Sequence, residues 1–127
     1  MKRDMDLIRQ ILLKVENDAP PMGLLELTAS DFSISHPNLI EAVLFEHVLL
    51  LVDAGYFARH VSSLDGPSVG NLSMGGYDFL DSVRDQGVWQ ETKDVATAAG
   101  GFTMDLLKLL AVGFIKKQVE ERTGVKL

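Results

Sequence analysis

Gly66-Pro67-Ser68-Val69-Gly70 matches the G-x-S-x-G pattern that sets a nucleophilic serine on a strained elbow between a strand and a helix. Such a serine also needs a histidine and an oxyanion hole. The surrounding Asp65-Gly66-Pro67 is turn chemistry, so the pattern reads as a hairpin loop and not as a nucleophile. The three histidines, His36, His47 and His60, fall in a loop, an apolar helix and a strand, without the H-x-x-x-H or H-E-x-x-H spacing that holds a metal. His47 reads as a hydrogen-bonded core residue and His60 as exposed. Asp78, Asp81 and Asp85 share one helix face through three- and four-residue steps, but Arg84 stands among them, and a solvated face is the expectation. Gly75-Gly76 and Gly100-Gly101 open helices and do not make a phosphate loop. The absence of Cys removes thiolate chemistry, zinc ribbons and disulfides, and points to a cytoplasmic address. The chain therefore reads as a protein without catalytic, cofactor or metal residues, and not as an enzyme.

The elements that would position these side chains are mostly helical. From Lys2 to Asn17 the apolar residues Met5, Ile8, Ile11, Leu12 and Val15 recur at helical spacing, and Pro20-Pro21 stops the helix by removing two amide donors. Leu24 to Leu27 suits one short strand, and Thr28 to Pro37 suits caps and turns. Twelve of the sixteen residues from Leu39 to Ala54 are apolar, which predicts a largely buried core helix, opened by Ser35 or His36 with Pro37 and closed by a left-handed Gly55. Sixteen residues carrying three acids fall short of a membrane span. In this reading Leu50→Asp unfolds the domain. Tyr56 to Ser62 and Asn71 to Met74 predict a hairpin around the loop 63–70. Helices follow over Tyr77 to Asp85 and Val88 to Ala99, and a last one starts at Thr103 with Asp105 and ends in Lys116-Lys117, Arg122 and Gly124, a polarity that suits the helix dipole.

The 127 residues carry a net charge of -6, with 46% hydrophobic residues, the composition of a folded domain and not of a disordered tail. No Lys or Arg falls between Lys14 and Arg59, while seven acids do, so this window alone holds -7 and the rest of the chain sums to +1. The order helix, short strand, helical turn, apolar helix ending in Asp53-Ala54-Gly55-Tyr56-Phe57, then hairpin predicts a winged-helix-like domain over residues 1–87. A C-terminal helical extension over 88–127 packs on it or dimerises it, as one domain overall. The fold class expected is mainly α with a small β-hairpin, α+β.

Three blocks carry a closer likeness. Met1-Lys2-Arg3-Asp4 is followed by Leu7-Ile8-Arg9 and Ile11-Leu12-Leu13. Gly76 is followed by Asp78-Phe79-Leu80-Asp81, Arg84-Asp85 and Val88-Trp89. Gly100-Gly101 is followed by Leu106-Leu107-Lys108 and Leu110-Ala111. On these the chain resembles the bacterial and phage domain-of-unknown-function family 2513. Where that family usually shows Thr-Trp before its glycine and His after it, this chain has Ser73-Met74 and Tyr77. The resemblance implies a winged-helix-like body with a helical tail, of a kind common in phages and prophages.

In a winged-helix reader of DNA the third helix and the wing carry basic side chains, and here that helix has none. Candidate nucleic-acid contacts reduce to Arg59 and His60 on the wing and Lys2, Arg3 and Arg9 on the first helix. The last helix is apolar around more than one stripe, which makes Leu106, Leu107, Leu110 and Phe114 a candidate homo-oligomer interface. The function expected is a phage-type accessory protein that binds another macromolecule, a protein before DNA. The alternatives are a DNA-binding transcriptional regulator and an antagonist of a host defence or nucleic-acid enzyme. The partners expected are a second copy and an unidentified protein, with no membrane.

Overall fold

The computed structural model describes all 127 residues. It contains five helices, one 3-10 turn and a three-stranded antiparallel sheet in the order β1-β3-β2. In chain order these are α1 Met5–Asp18, β1 Leu25–Glu26, the 3-10 turn Ala29–Phe32, α2 Glu41–Asp53, β2 His60–Ser63, β3 Gly66–Val69, α3 Met74–Val83, α4 Gln86–Ala99 and α5 Met104–Thr123. No helix is long and apolar enough to cross a membrane. The chain forms two compact units, Met1–Asp78 and Phe79–Leu127, so the division falls inside α3, ahead of the boundary expected after residue 87.

In the first unit α1 starts later than Lys2, because Asp4 caps it: Asp4 Oδ1 accepts the Leu7 N–H at 3.0 Å, which satisfies one orphan donor of the first turn. One face of α1, with Leu7, Ile8, Ile11, Leu12 and Val15, is buried, and α1 packs on α2. The expectation that α2 is largely buried is overturned. It buries only Leu44, His47, Val48 and Leu51, while Leu49 and Leu50 are 41% and 39% exposed. A helix that is apolar almost all round gives no stripe to tell its two sides apart, and one side faces water. Nor do Ser35 and His36 open it: α2 begins after Ile40, and Glu41 Oε1 accepts the Ala29 N–H at 2.9 Å.

The hairpin is shorter than expected. Its turn is Leu64-Asp65, with Ser63 opposite Gly66, so the residues read as loop form β3. Pro67 is tolerated there because β1 pairs with Ser68 and Val69 but not with Pro67, leaving that stretch of β3 a neighbour on one side only. Gly66 has φ +111, and a Cβ there would lie 2.5 Å from Phe45 Cζ, so glycine lets the ring rest on the strand. Pairing reaches back to Phe57 opposite Leu72. Asn71 to Met74 is therefore the end of the hairpin and the start of α3, in which Ser73 Oγ accepts the Gly76 N–H at 3.1 Å. Gly76 is not a break between elements. It lies in the first turn of α3, and a Cβ on it would collide with the Tyr56 carbonyl oxygen.

In the second unit Asp85 caps α4 by accepting the Val88 N–H at 2.9 Å, and Gly100 ends it at φ +83. Thr103 caps α5 through the Leu106 N–H at 3.1 Å. The short connection Gly100 to Thr103 turns α5 back along α4, and the two helices pack together. Trp89, Ala96, Leu107 and Ala111 are buried.

Candidate functional site

The residues whose spacing suggested chemistry are dispersed and occupied. Ser68 sits mid-strand, paired with Glu26 and Val61, and no elbow surrounds it. Asp81 receives Arg84 Nη2 at 2.6 Å, Asp85 is the α4 cap, and Asp78 is engaged separately. No group of three or more His, Cys, Asp or Glu is placed to hold a metal ion.

Two of the three histidines, His36 and His47, meet through a residue the sequence did not single out. His47 is fully buried, and its Nε2 accepts the Asp4 N–H at 2.9 Å. The Val43 carbonyl oxygen 2.8 Å from Nδ1 can only accept, so the ring proton is on Nδ1. Asp4 Oδ2 lies 3.2 Å from His36 Nε2, and Ser35 Oγ lies 2.8 Å from His36 Nδ1. Asp4 thereby ties the start of α1 to the middle of α2 and to the turn before it. The order hydroxyl, imidazole, carboxylate is that of a proton relay, but the carboxylate also caps α1, and the arrangement acts as a tether. Only the spacing from Asp4 to Leu7 hinted at this role, since no local pattern links residues 43 positions apart.

The candidate nucleic-acid contacts do not form one patch. Lys2 and Arg3 are exposed at the start of the chain and His60 on β2, whereas Arg9 is only 6% exposed and withdrawn from the surface. Arg59 is half-buried against Gly70, its Nε lacks a hydrogen-bond partner, and its Nη2 is 3.4 Å from the Gly23 carbonyl oxygen. Of the candidate interface residues, Leu107 is fully buried and belongs to the unit's own core. Leu106, Leu110 and Phe114 are half-buried, and the most exposed apolar residue of α5 is Leu109, at 69%.

A surface that the sequence did not indicate lies between α2 and the hairpin. Phe45, Gly66 and Pro67 are shared by the linings of two hollows. One hollow, of about 280 Å³, is lined in part by Glu26, Glu41 and Asp65; the other, of about 250 Å³, by Leu49, Ser62 and Leu64. Neither is lined by a Lys or Arg. Beyond them α2 exposes Glu46, Leu50 and Asp53, and the hairpin exposes Val61 and a fully exposed Leu64. The face therefore offers apolar contact framed by carboxylates. Its only sequence signal was the cation-free window.

The chain is similar to a Haemophilus influenzae protein carrying the name "Uncharacterized protein", 27% identical over 127 residues, a match covering 94% of this chain and 99% of that one. No solved structure gives a significant match. The family model described as "Hypothetical protein (DUF2513)" matches residues 2–102, all of the chain up to the residue before the α5 cap, and the chain belongs to that family.

Proposed function

We propose that the chain acts by binding another protein on the α2–hairpin face, and that the first unit is a winged-helix-like scaffold turned to this use. The order α1, β1, 3-10 turn, α2, β2, β3 and the sheet order β1-β3-β2 support the scaffold. The observation that carries the function is the pair of hollows that share Phe45 and Pro67, one lined in part by Glu26, Glu41 and Asp65, the other by Leu49 and Leu64, and neither by a cation. Phosphate groups meet repulsion on such a face, because DNA binding draws on clustered Lys and Arg. A protein segment presenting basic and apolar side chains finds complementary charge and area there. With the notable carboxylates and imidazoles used in caps and tethers, binding is a better reading than catalysis.

The test is affinity purification of the tagged chain from its own host, with and without nuclease, beside Glu46→Lys and Leu49→Asp variants. The reading expects specific proteins that survive nuclease and disappear with both variants. Recovery of DNA that nuclease abolishes would establish the regulator instead, and proteins retained equally by the variants would remove the face from the function.

A further inference from the structure

The second copy of this chain is itself an occupant that fits. Along α2 the exposed residues Glu46, Leu49 and Asp53 run acid, apolar, acid over about 10 Å of helix. Along α5 the exposed Lys116, Val119 and Arg122 run base, apolar, base over about 9 Å. The two triplets are similar in length, alike in their charged-apolar-charged order and opposite in sign. α5 has 20 residues against 14 in α4, so its last six residues, with Val119 and Arg122, amount to about 9 Å of helix beyond the length of its helical partner. Neither triplet has an ion pair within the chain, and both are exposed.

From this juxtaposition we infer that the end of α5 of one copy docks on the α2–hairpin face of another, an inference that rests on the face being a protein-binding surface. Two copies that exchange α5 ends close a reciprocal dimer, and each dimer masks both faces from other partners. Self-association then competes with the foreign partner and weakens as salt screens the charges.

The experiment is sedimentation equilibrium of the full chain at low and high salt. Two charge-reversed forms accompany it, Glu46→Lys/Asp53→Lys and Lys116→Glu/Arg122→Glu, all four positions being exposed. The wild-type chain is expected to dimerise more weakly at high salt, and each reversed form to associate at least tenfold more weakly. An equimolar mixture of the two forms should recover a heterodimer, because reversed face then meets reversed helix. A wild-type chain that stays monomeric, reversed forms that dimerise like wild type, or a mixture without heterodimer each overturn the inference. If the chain is monomeric while Glu46→Lys still abolishes nuclease-resistant capture, only this inference falls. If charge-dependent dimers form while capture ignores Glu46→Lys, the proposed function falls instead.

Discussion

α1 and α2 lie side by side and bury their residues by different rules. α1 is amphipathic, and seven of its 14 residues are buried. α2 is far more apolar in composition, yet only four of its 13 residues are buried. The lesson is that hydrophobicity alone does not place a helix inside: a small unit has room for one face of each helix, and the apolar excess on the other face is left for something outside the unit to cover. In α1 the polar residues other than the buried Arg9 mark the water side. In α2 the acids Glu41, Glu46 and Asp53 do so sparsely, and Leu49 and Leu50 share their side.

The comparison can be broken most sharply inside α2. Leu44→Asp, at a fully buried position, should cost more than about 4 kcal/mol and abolish the cooperative urea transition. Leu50→Asp, one of the exposed leucines, should cost under about 1 kcal/mol, contrary to what the composition of the helix alone suggests. Equal losses at the two positions would return α2 to the interior. Next in size is His47→Leu, which leaves the Asp4 N–H without its acceptor; an unfolding free energy in urea lowered by about 1–3 kcal/mol is expected. Asp4→Ala removes the α1 cap and the partner of His36, and about 1 kcal/mol should be lost in thermal melts, with the N-terminal turn of α1 exchanging its amide hydrogens faster.

The smallest effect belongs to the surface pair at the far end of α1. Lys14 Nζ lies 2.6 Å from Asp18 Oδ2, and this hydrogen bond holds the Asp18 carboxyl below its usual range and the Lys14 ammonium above its own. For a lowered carboxyl, the stabilisation is present above its ordinary value and is lost as pH falls through the lowered one. For a raised ammonium, it is present below its ordinary value and lost as pH rises through the raised one. Asp18→Asn should therefore lower the urea midpoint slightly at neutral pH, and the gap from wild type should close on strong acidification. A gap that persists at low pH would assign the effect to packing.

Helices bounded by local chemistry were legible: Pro20-Pro21, Gly100, Thr103 and Gly124 mark ends that the chain alone reveals, whereas Asp85, read as the last residue of one helix, caps the next. The register of the hairpin was not, because Gly66-Pro67 has turn composition and only the short reach of β1 makes room for it within a strand. The exposed side of α2 was hidden by the lack of a stripe, and the withdrawal of Arg9 by its place on a helix read only for its apolar residues. The Asp4 tether joins parts of the chain too far apart for any spacing rule. The acids of the candidate face were visible as charge, but its hollows needed the hairpin to be folded against Phe45.

The contact of Gly66 with Phe45 has a genetic dimension. Glycine and alanine codons differ at one base, and the methyl group such a change adds would strike the Phe45 ring on a backbone already in the left-handed region. The contour of the face is thus one nucleotide from being recast, and natural variation at this codon, free or purged, would record whether cells depend on it.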